Sequence, residues 1–173
     1  KVIQIPGSGV DVSAFTPQYN SQSEMITLGF FSRLLPEKGV DLFLDLIECN
    51  RFSGLNVRFL MAGDALDNPS GDRVMARISE ISELACFEYL GSVADIRKAF
   101  SACSCVVLPS FYAEGTPKIL LEAAACGLPI ITTDHPGCRD TVVDGVSGYL
   151  VEPMSLESLI DKVELFCSLS VTD

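Results

Sequence analysis

The sequence predicts an α/β domain, a doubly wound, Rossmann-like parallel sheet with helices on both faces. Three observations carry that expectation. Short apolar runs without polar alternation, as at 25–31, 57–62 and 105–108, suit strands covered on both faces. Between them lie stretches with apolar residues at i, i+3, i+4 and i+7, the period of a half-buried helix. The two kinds of segment alternate about six times with connections of ordinary length, and no internal repeat or low-complexity tract interrupts them.

In chain order, Lys1 to Pro17 reads as a loop turned at Pro6-Gly7-Ser8-Gly9, and Gln18 to Glu24 as a polar bridge. Met25 to Phe31 is the first strand. Pro36 then opens a helix whose Val40, Phe43, Leu44 and Ile47 share a face. Val57 to Ala62 is the second strand, stopped at Gly63. A loop holding Asp67-Asn68-Pro69-Ser70-Gly71 leads to a helix with Val74, Ile78 and Ile81 on one side. Phe87 to Leu90 is a short strand ending at Gly91, and Val93 to Ala102 a short helix with Val93, Ile96 and Phe100 on one face. Cys105 to Leu108 is a buried strand. It runs through Pro109 toward an alanine- and leucine-rich helix that Pro117 opens as first residue and Gly127 ends. Pro129 to Thr133, a helical turn at Gly137 to Val143, strand Gly148 to Val151 and a final helix carrying Leu156, Leu159, Ile160, Val163 and Phe166 complete one domain.

The bulk composition narrows the function. With 173 residues and 48% hydrophobic content the chain can bury a sizeable core. A formal charge of −11 and a pI near 4.4 argue against a nucleic-acid partner, whose binding is largely cationic neutralisation. The Lys and Arg residues form no basic run for anionic lipid, and no apolar segment approaches the ~18 residues of a spanning helix. Seven cysteines is an odd number, and Cys49, Cys103, Cys105 and Cys126 have apolar neighbours. That pattern reads as reduced core thiols in cytoplasm, and the lone pair Cys103-x-Cys105 has no companion for a zinc site. No metal and no cofactor are expected. No signal peptide opens the chain, and Lys1-Val2-Ile3-Gln4-Ile5, strand-like and without an initiator Met, reads as the start of a segment of a longer protein.

Ligands of open parallel sheets bind at the carboxyl ends of the strands. Polar or glycine-rich breaks fall there at Ser32-Arg33, Gly63-Asp64, Gly91-Ser92 and Ser110 to Thr116. Arg33 and Lys38, either side of Pro36, can point into one crevice. Lys38 near a helix N-terminus opposes the helix dipole, which suggests an anion nearby; the alternative is a solvated lysine beside Glu37. Gly115-Thr116-Pro117 leads into helix N–H groups that lack intrahelical partners, an arrangement that favours phosphate. Glu114 would repel phosphate, so it is read as an acceptor for hydroxyl donors. Glu122, two turns into the helix, is either a second hydroxyl acceptor, as for a ribose, or an ordinary i, i+4 partner of Lys118. A sugar joined to a diphosphate satisfies both halves of this pattern.

Taken together, Arg33-x-x-Pro36-Glu37-Lys38-Gly39, Gly63-Asp64, Leu90-Gly91-Ser92-Val93 and Leu108-Pro109-Ser110 resemble, in order, signatures of the retaining family-4 glycosyltransferases. So do Glu114-Gly115-Thr116-Pro117 with Glu122, Gly137-Cys138-Arg139-Asp140, and Asp144-Gly145-x-x-Gly148. The Gly-Asp-x-x-x-Asn-Pro loop and Pro-Gly-Cys-Arg look most like capsule and O-antigen type transferases. The resemblance implies the C-terminal, donor-binding half of a two-domain GT-B fold, 1–173, with the N-terminal acceptor domain absent. It implies a metal-independent transfer from a nucleotide-sugar, a UDP-sugar in this reading, to a polysaccharide or lipid-linked acceptor. Arg33 and Lys38 would neutralise the departing diphosphate, helped by the N–H groups of Ile119 and Leu120. Glu114, Gly115, Thr116 and Pro117 would hold the sugar, Glu122 the ribose, Gly63 and Asp64 the donor more broadly, and Gly91, Ser92 and Val93 would border the base. The expected location is cytoplasmic, with any membrane contact made through the absent half.

Two departures qualify the resemblance. Thr116 stands where a bulky apolar residue is more usual, so the sugar pocket is expected to differ. His135 is at no catalytic position of the family and reads as a loop residue. Gly7-Ser8-Gly9-Val10-Asp11 resembles the family's hinge exit. Two other readings remain: an epimerase or phosphorylase of the same fold, and a non-catalytic Rossmann-like interaction module. The isolated segment is expected to bind nucleotide weakly and transfer little.

Overall fold

The computed structural model describes residues 9–17, 25–112 and 115–169. The early turn at 6–8, the polar bridge at 18–24 and Glu114 lie outside the described residues. Six parallel strands form one sheet: β1 (Ile26–Phe31), β2 (Val57–Ala62), β3 (Phe87–Tyr89), β4 (Cys105–Leu108), β5 (Ile130–Thr133) and β6 (Gly148–Val151). Their spatial order is β3-β2-β1-β4-β5-β6. Strand order therefore reverses between β1 and β4, which pair in parallel through Leu28 with Cys105 and Gly29 with Val106. The carboxyl ends of those two strands flank the switch point where such sheets hold ligands. The predicted α/β class and doubly wound topology are the observed ones.

Among the described residues five α-helices cover the sheet: α1 (Val40–Glu48), α2 (Pro69–Ile81), α3 (Ile96–Phe100), α4 (Lys118–Ala125) and α5 (Leu156–Ser168). The apolar runs are strands because both faces are covered; β4 and β5 are buried at every residue. Phe30, Phe43 and Phe59 are almost wholly buried and stack in sequence, with ring centroids 5.2 and 6.0 Å apart. Each such ring adds about 0.5–1.5 kcal/mol per aromatic contact beyond its buried area. Arg77 of α2 spans α1, reaching Asp41, Asp45 and Glu48 at 3.2, 2.6 and 2.8 Å. Among the described residues, no helix is long and apolar enough to cross a membrane.

Four element starts differ from expectation, each for a local reason. The helix expected from Pro36 is split: Pro36–Lys38 is a 3-10 turn, and Gly39, at φ 80°, breaks it from α1. The loop expected at 67–71 is half helix, because Asn68 accepts from the Gly71 N–H at 2.9 Å and caps α2, with Pro69 as first residue. The third helix is shorter than its apolar spacing implied, since Asp95 caps it and leaves Val93 in the preceding loop. Pro117 is not the first residue of α4 but its cap, extended at ψ 122°.

The seven cysteines are free thiols. Cys105 is fully buried, and burial pushes the half-buried Cys103 up to about 12; Cys49 and Cys126 are only half-buried, less enclosed than their apolar neighbours implied. Cys138, not among the four with apolar sequence neighbours, is fully buried.

Candidate functional site

The exits of β1, β2 and β3 are laced together by backbone bonds. After β1, Ser32 donates its N–H to the Ala62 carbonyl at 3.2 Å, and Leu34 to that of Asp64 at 2.9 Å. Gly63 donates to the Gly91 carbonyl at 2.9 Å, while its own carbonyl accepts the Tyr89 hydroxyl at 2.8 Å. A Cβ on Gly63 would lie 1.7 Å from the Ser32 carbonyl oxygen, so only glycine lets these two exits approach. Ser92 donates its hydroxyl to Asp64 at 3.0 Å. Burial, and secondarily the Asp64 carboxylate, raise the Tyr89 hydroxyl above the ordinary tyrosine range.

A second clamp joins β1 to β4 across the switch point. The fully buried Ser110 hydroxyl and the Phe111 N–H both donate to the Glu37 carbonyl, at 3.1 and 3.0 Å. Gly39 packs flat on Pro109, whose carbonyl oxygen would be 2.3 Å from an added Cβ. Lys38 is buried at 8% exposure, with its ammonium 5.8 Å from the centroid of the Tyr112 ring. Lys38 is thus no solvated surface lysine, as the alternative sequence reading had it; Arg33, by contrast, is exposed.

The start of α4 faces the same place. Pro117 supplies no side-chain cap, and no acidic residue occupies the first turn. The starts of α2, α3 and α5 are each capped by a side chain, from Asn68, Asp95 and Ser155. Instead the first residue of α4 is a cation: Lys118 reaches Glu122 at 3.1 Å. Glu122 itself is only 8% exposed, so the i, i+4 pair is present but is not an ordinary surface pair.

These parts enclose one open cleft of about 420 Å³. Arg33 and Lys38 line one side, Gly63, Asp64, Ser92 and Val93 another, and Pro117, Ile119 and Glu122 a third. The structure therefore brings together most of the residues singled out from the sequence. It does not bring in all of them. Gly91, Gly115, Thr116 and Leu120 are described but do not line the cleft. Leu120 is corrected as a donor: its N–H is spent on the Pro117 carbonyl at 3.1 Å, and its side chain is wholly in the core. Ile119 remains in the cleft wall. His135 is half-buried, with a ring nitrogen 3.1 Å from the Pro136 carbonyl, and lies outside the cleft.

Three residues with a part in the site were missed as such. Lys118 lines the cleft, Tyr112 covers Lys38, and Ser110 ties the β4 exit to Glu37. A cation at the first position of a helix, against its dipole, was the readable signal for Lys118. Chemically, the cleft offers three cations and an uncapped helix start beside two carboxylates, a combination that suits a ligand with both phosphate and hydroxyl groups.

The family model for glycosyl transferases group 1 matches residues 11–170. The chain belongs to this family. Its curated group 1 relatives include the N,N'-diacetylbacillosaminyl-diphospho-undecaprenol alpha-1,3-N-acetylgalactosaminyltransferase of Campylobacter jejuni, 28% identical over 95% of this chain and 45% of that protein. The lipopolysaccharide 1,2-N-acetylglucosaminetransferase of Salmonella typhimurium is 26% identical over 84% of the chain and 40% of its own length. The D-inositol 3-phosphate glycosyltransferase of Mycobacterium marinum is 31% identical over 86% and 34%. The chain thus spans less than half the length of these relatives. Among solved structures it is similar to Anabaena Alr3699/HepE in complex with UDP and glucose, at a TM-score of 0.80 and 23% identity over 95% of the chain and 47% of that one. It is also similar to the C-terminal domain of a group 1 protein, LpcC of Francisella tularensis, at a TM-score of 0.77 and 24% identity over 93% and 89%. These likenesses show the GT-B type of Rossmann-like fold.

Proposed function

We propose that this chain is the C-terminal, donor-binding half of a retaining, metal-independent glycosyltransferase that uses a UDP-sugar and a polysaccharide or lipid-linked acceptor. Its acceptor domain is a second Rossmann-like unit outside the chain. The observation that carries the reading is the gathering of Arg33 and Lys38 with the uncapped start of α4 in one cleft, in a chain of net charge −11. Such a cleft is built for an anion of higher charge than a single carboxylate. The UDP in the Anabaena complex supports the choice of nucleotide, and the names of the Campylobacter and Salmonella relatives support the acceptor class.

In this reading Arg33, Lys38 and the Ile119 N–H take up the charge of the departing diphosphate in place of a metal ion. Retaining chemistry builds oxocarbenium-like charge beside that leaving group, and fixed donors on it are worth several kcal/mol. Glu114 accepts from the sugar hydroxyls with Gly115, Thr116 and Pro117 nearby, and Glu122 accepts from the ribose. Gly91, Ser92 and Val93 border the base. The enzyme works in the cytoplasm and meets the membrane only through its other half.

The test is calorimetry of the full-length protein with UDP, ADP and GDP, with and without EDTA, followed by product analysis with a panel of UDP-sugars. UDP binding that survives EDTA, a retained anomeric centre, and a loss of kcat of about 10²–10³-fold on Arg33→Ala or Lys38→Ala are expected. No nucleotide binding, strict dependence on metal, or an inverted product would overturn the proposal.

A further inference from the structure

The pair formed by Lys118 and Glu122 is not explained by helix stability. A glutamate preceding a lysine by four is the favourable order on a helix, and here the order is reversed. Lys118 is also the first residue of α4, where a positive charge opposes the helix dipole. Nor is this a solvated pair that forms by proximity, since the Glu122 carboxylate sits in the cleft wall at 8% exposure. A nearly buried carboxylate needs a compensating group, and the 3.1 Å contact with the Lys118 ammonium supplies one. The Lys118 side chain is 65% exposed while that of Glu122 is 10% exposed, so the lysine reaches in from the cleft mouth to the buried carboxylate.

We propose that Lys118 is a positioning residue, holding the Glu122 carboxylate oriented so that the site distinguishes a ribonucleoside from its deoxy form. This rests on the donor-binding reading, in which Glu122 accepts from ribose hydroxyls. With one carboxylate oxygen held by Lys118, the other is left to accept from a vicinal diol. A hydrogen bond to a charged acceptor then separates ribo- from dideoxynucleoside by on the order of tenfold to a hundredfold in affinity. Without Lys118, the carboxylate turns away toward water, and the separation narrows.

The experiment uses the full-length protein and measures dissociation constants for UDP, uridine and 2′,3′-dideoxyuridine. It compares the parent with Lys118→Met, Lys118→Arg and Glu122→Gln, each checked for folding by circular dichroism. Lys118→Met is expected to weaken uridine and UDP by the same factor and to bring the uridine to dideoxyuridine ratio below about fivefold, near the effect of Glu122→Gln. Lys118→Arg restores much of the ratio. If Lys118→Met weakens UDP but leaves uridine unchanged, the lysine contacts phosphate directly and the positioning role is wrong. If Glu122→Gln collapses the ratio and Lys118→Met does not, Glu122 acts unaided and the proposal fails while the donor reading stands. If the parent protein binds no uridine nucleotide, the donor reading itself fails.

Discussion

Substituting Gly39 tests whether the site is held by the contact between the 36–39 turn and the β4 exit. Gly39 has φ 80°, and an added Cβ would stand 2.3 Å from the Pro109 carbonyl oxygen, about 0.7 Å short of the closest approach real Cβ atoms make. Gly54 is the control: its φ is 84°, and an added Cβ there meets nothing within 4 Å. Gly54→Ala therefore costs only the left-handed strain, about 1–2 kcal/mol. Gly39→Ala costs the same strain and must also push the turn off Pro109. That movement stretches the two bonds that Ser110 and Phe111 give to the Glu37 carbonyl, each worth about 0.5–1.5 kcal/mol. The expected total is about 2–5 kcal/mol, read as a lower urea midpoint with unchanged slope. In the full-length protein the same shift displaces Lys38 by a sizeable fraction of an ångström, and kcat is expected to fall by about 10²-fold. Equal stability costs for the two substitutions, or a Gly39→Ala enzyme with normal kcat, would refute the reasoning.

Removing the Arg77 fork with Arg77→Met takes that cation from Asp45 and Glu48 on α1, while Asp41 keeps Arg73 at 2.9 Å. A loss of about 1–3 kcal/mol is expected at low ionic strength, shrinking in 1 M salt, and Arg77→Lys should not recover it fully. A urea midpoint unchanged by Arg77→Met would count against a structural role for that network. The Cys103 thiol prefers to stay protonated in the fold, at about 12 against 9.0 for a free thiol. Its stabilising contribution is therefore complete below pH 9 and is lost as pH rises through 9 toward 12, by up to about 1.4 kcal/mol per pH unit. Urea unfolding at pH 8 and pH 10 should show Cys103→Ala losing about 1 kcal/mol less than the parent over that interval. The same decrement in both proteins would show that the thiol is not the titrating group.

The strands and most helices were legible because their signals are local. Continuous apolar runs mark β1, β2 and β4, and the spacing of Val40, Phe43, Leu44 and Ile47 marks α1, where all four are buried. The missed helix start at Pro69 was also local: Asn68 followed by Pro69 is a cap with a proline at the first position, a signal outweighed by the turn-like look of Asn-Pro-Ser-Gly. Pro117 went the other way, because proline fixes φ but not ψ, and only ψ separates a cap from a first helical residue. In the site, Arg33, Gly63, Asp64 and Ser92 could be placed from strand ends, and Lys38 and Glu122 from the helix starts that follow them. The clamp of Ser110 on Glu37 could not, since it joins residues 73 apart through a backbone carbonyl that no side-chain pattern reveals. The covering of Lys38 by Tyr112 depends in the same way on how the two exits are juxtaposed.

What separates the cleft from the rest of the molecule is where the chain breaks its own local rules. Away from the switch point, α2, α3 and α5 start with a side-chain cap, as isolated helices prefer. At the switch point, α1 follows a left-handed glycine with no side-chain cap, and α4 starts on a bare proline followed by a lysine. There too, Lys38 and Glu122 are buried at 8% exposure, the charged residues that are buried among those described. A chain that obeys helix-capping and burial rules on three helices and sets them aside on the two that meet at one crevice is organised around whatever enters that crevice. The cations and the helix starts without side-chain caps suit an anion in that crevice, and the buried carboxylate beside them suits one that also carries hydroxyl donors.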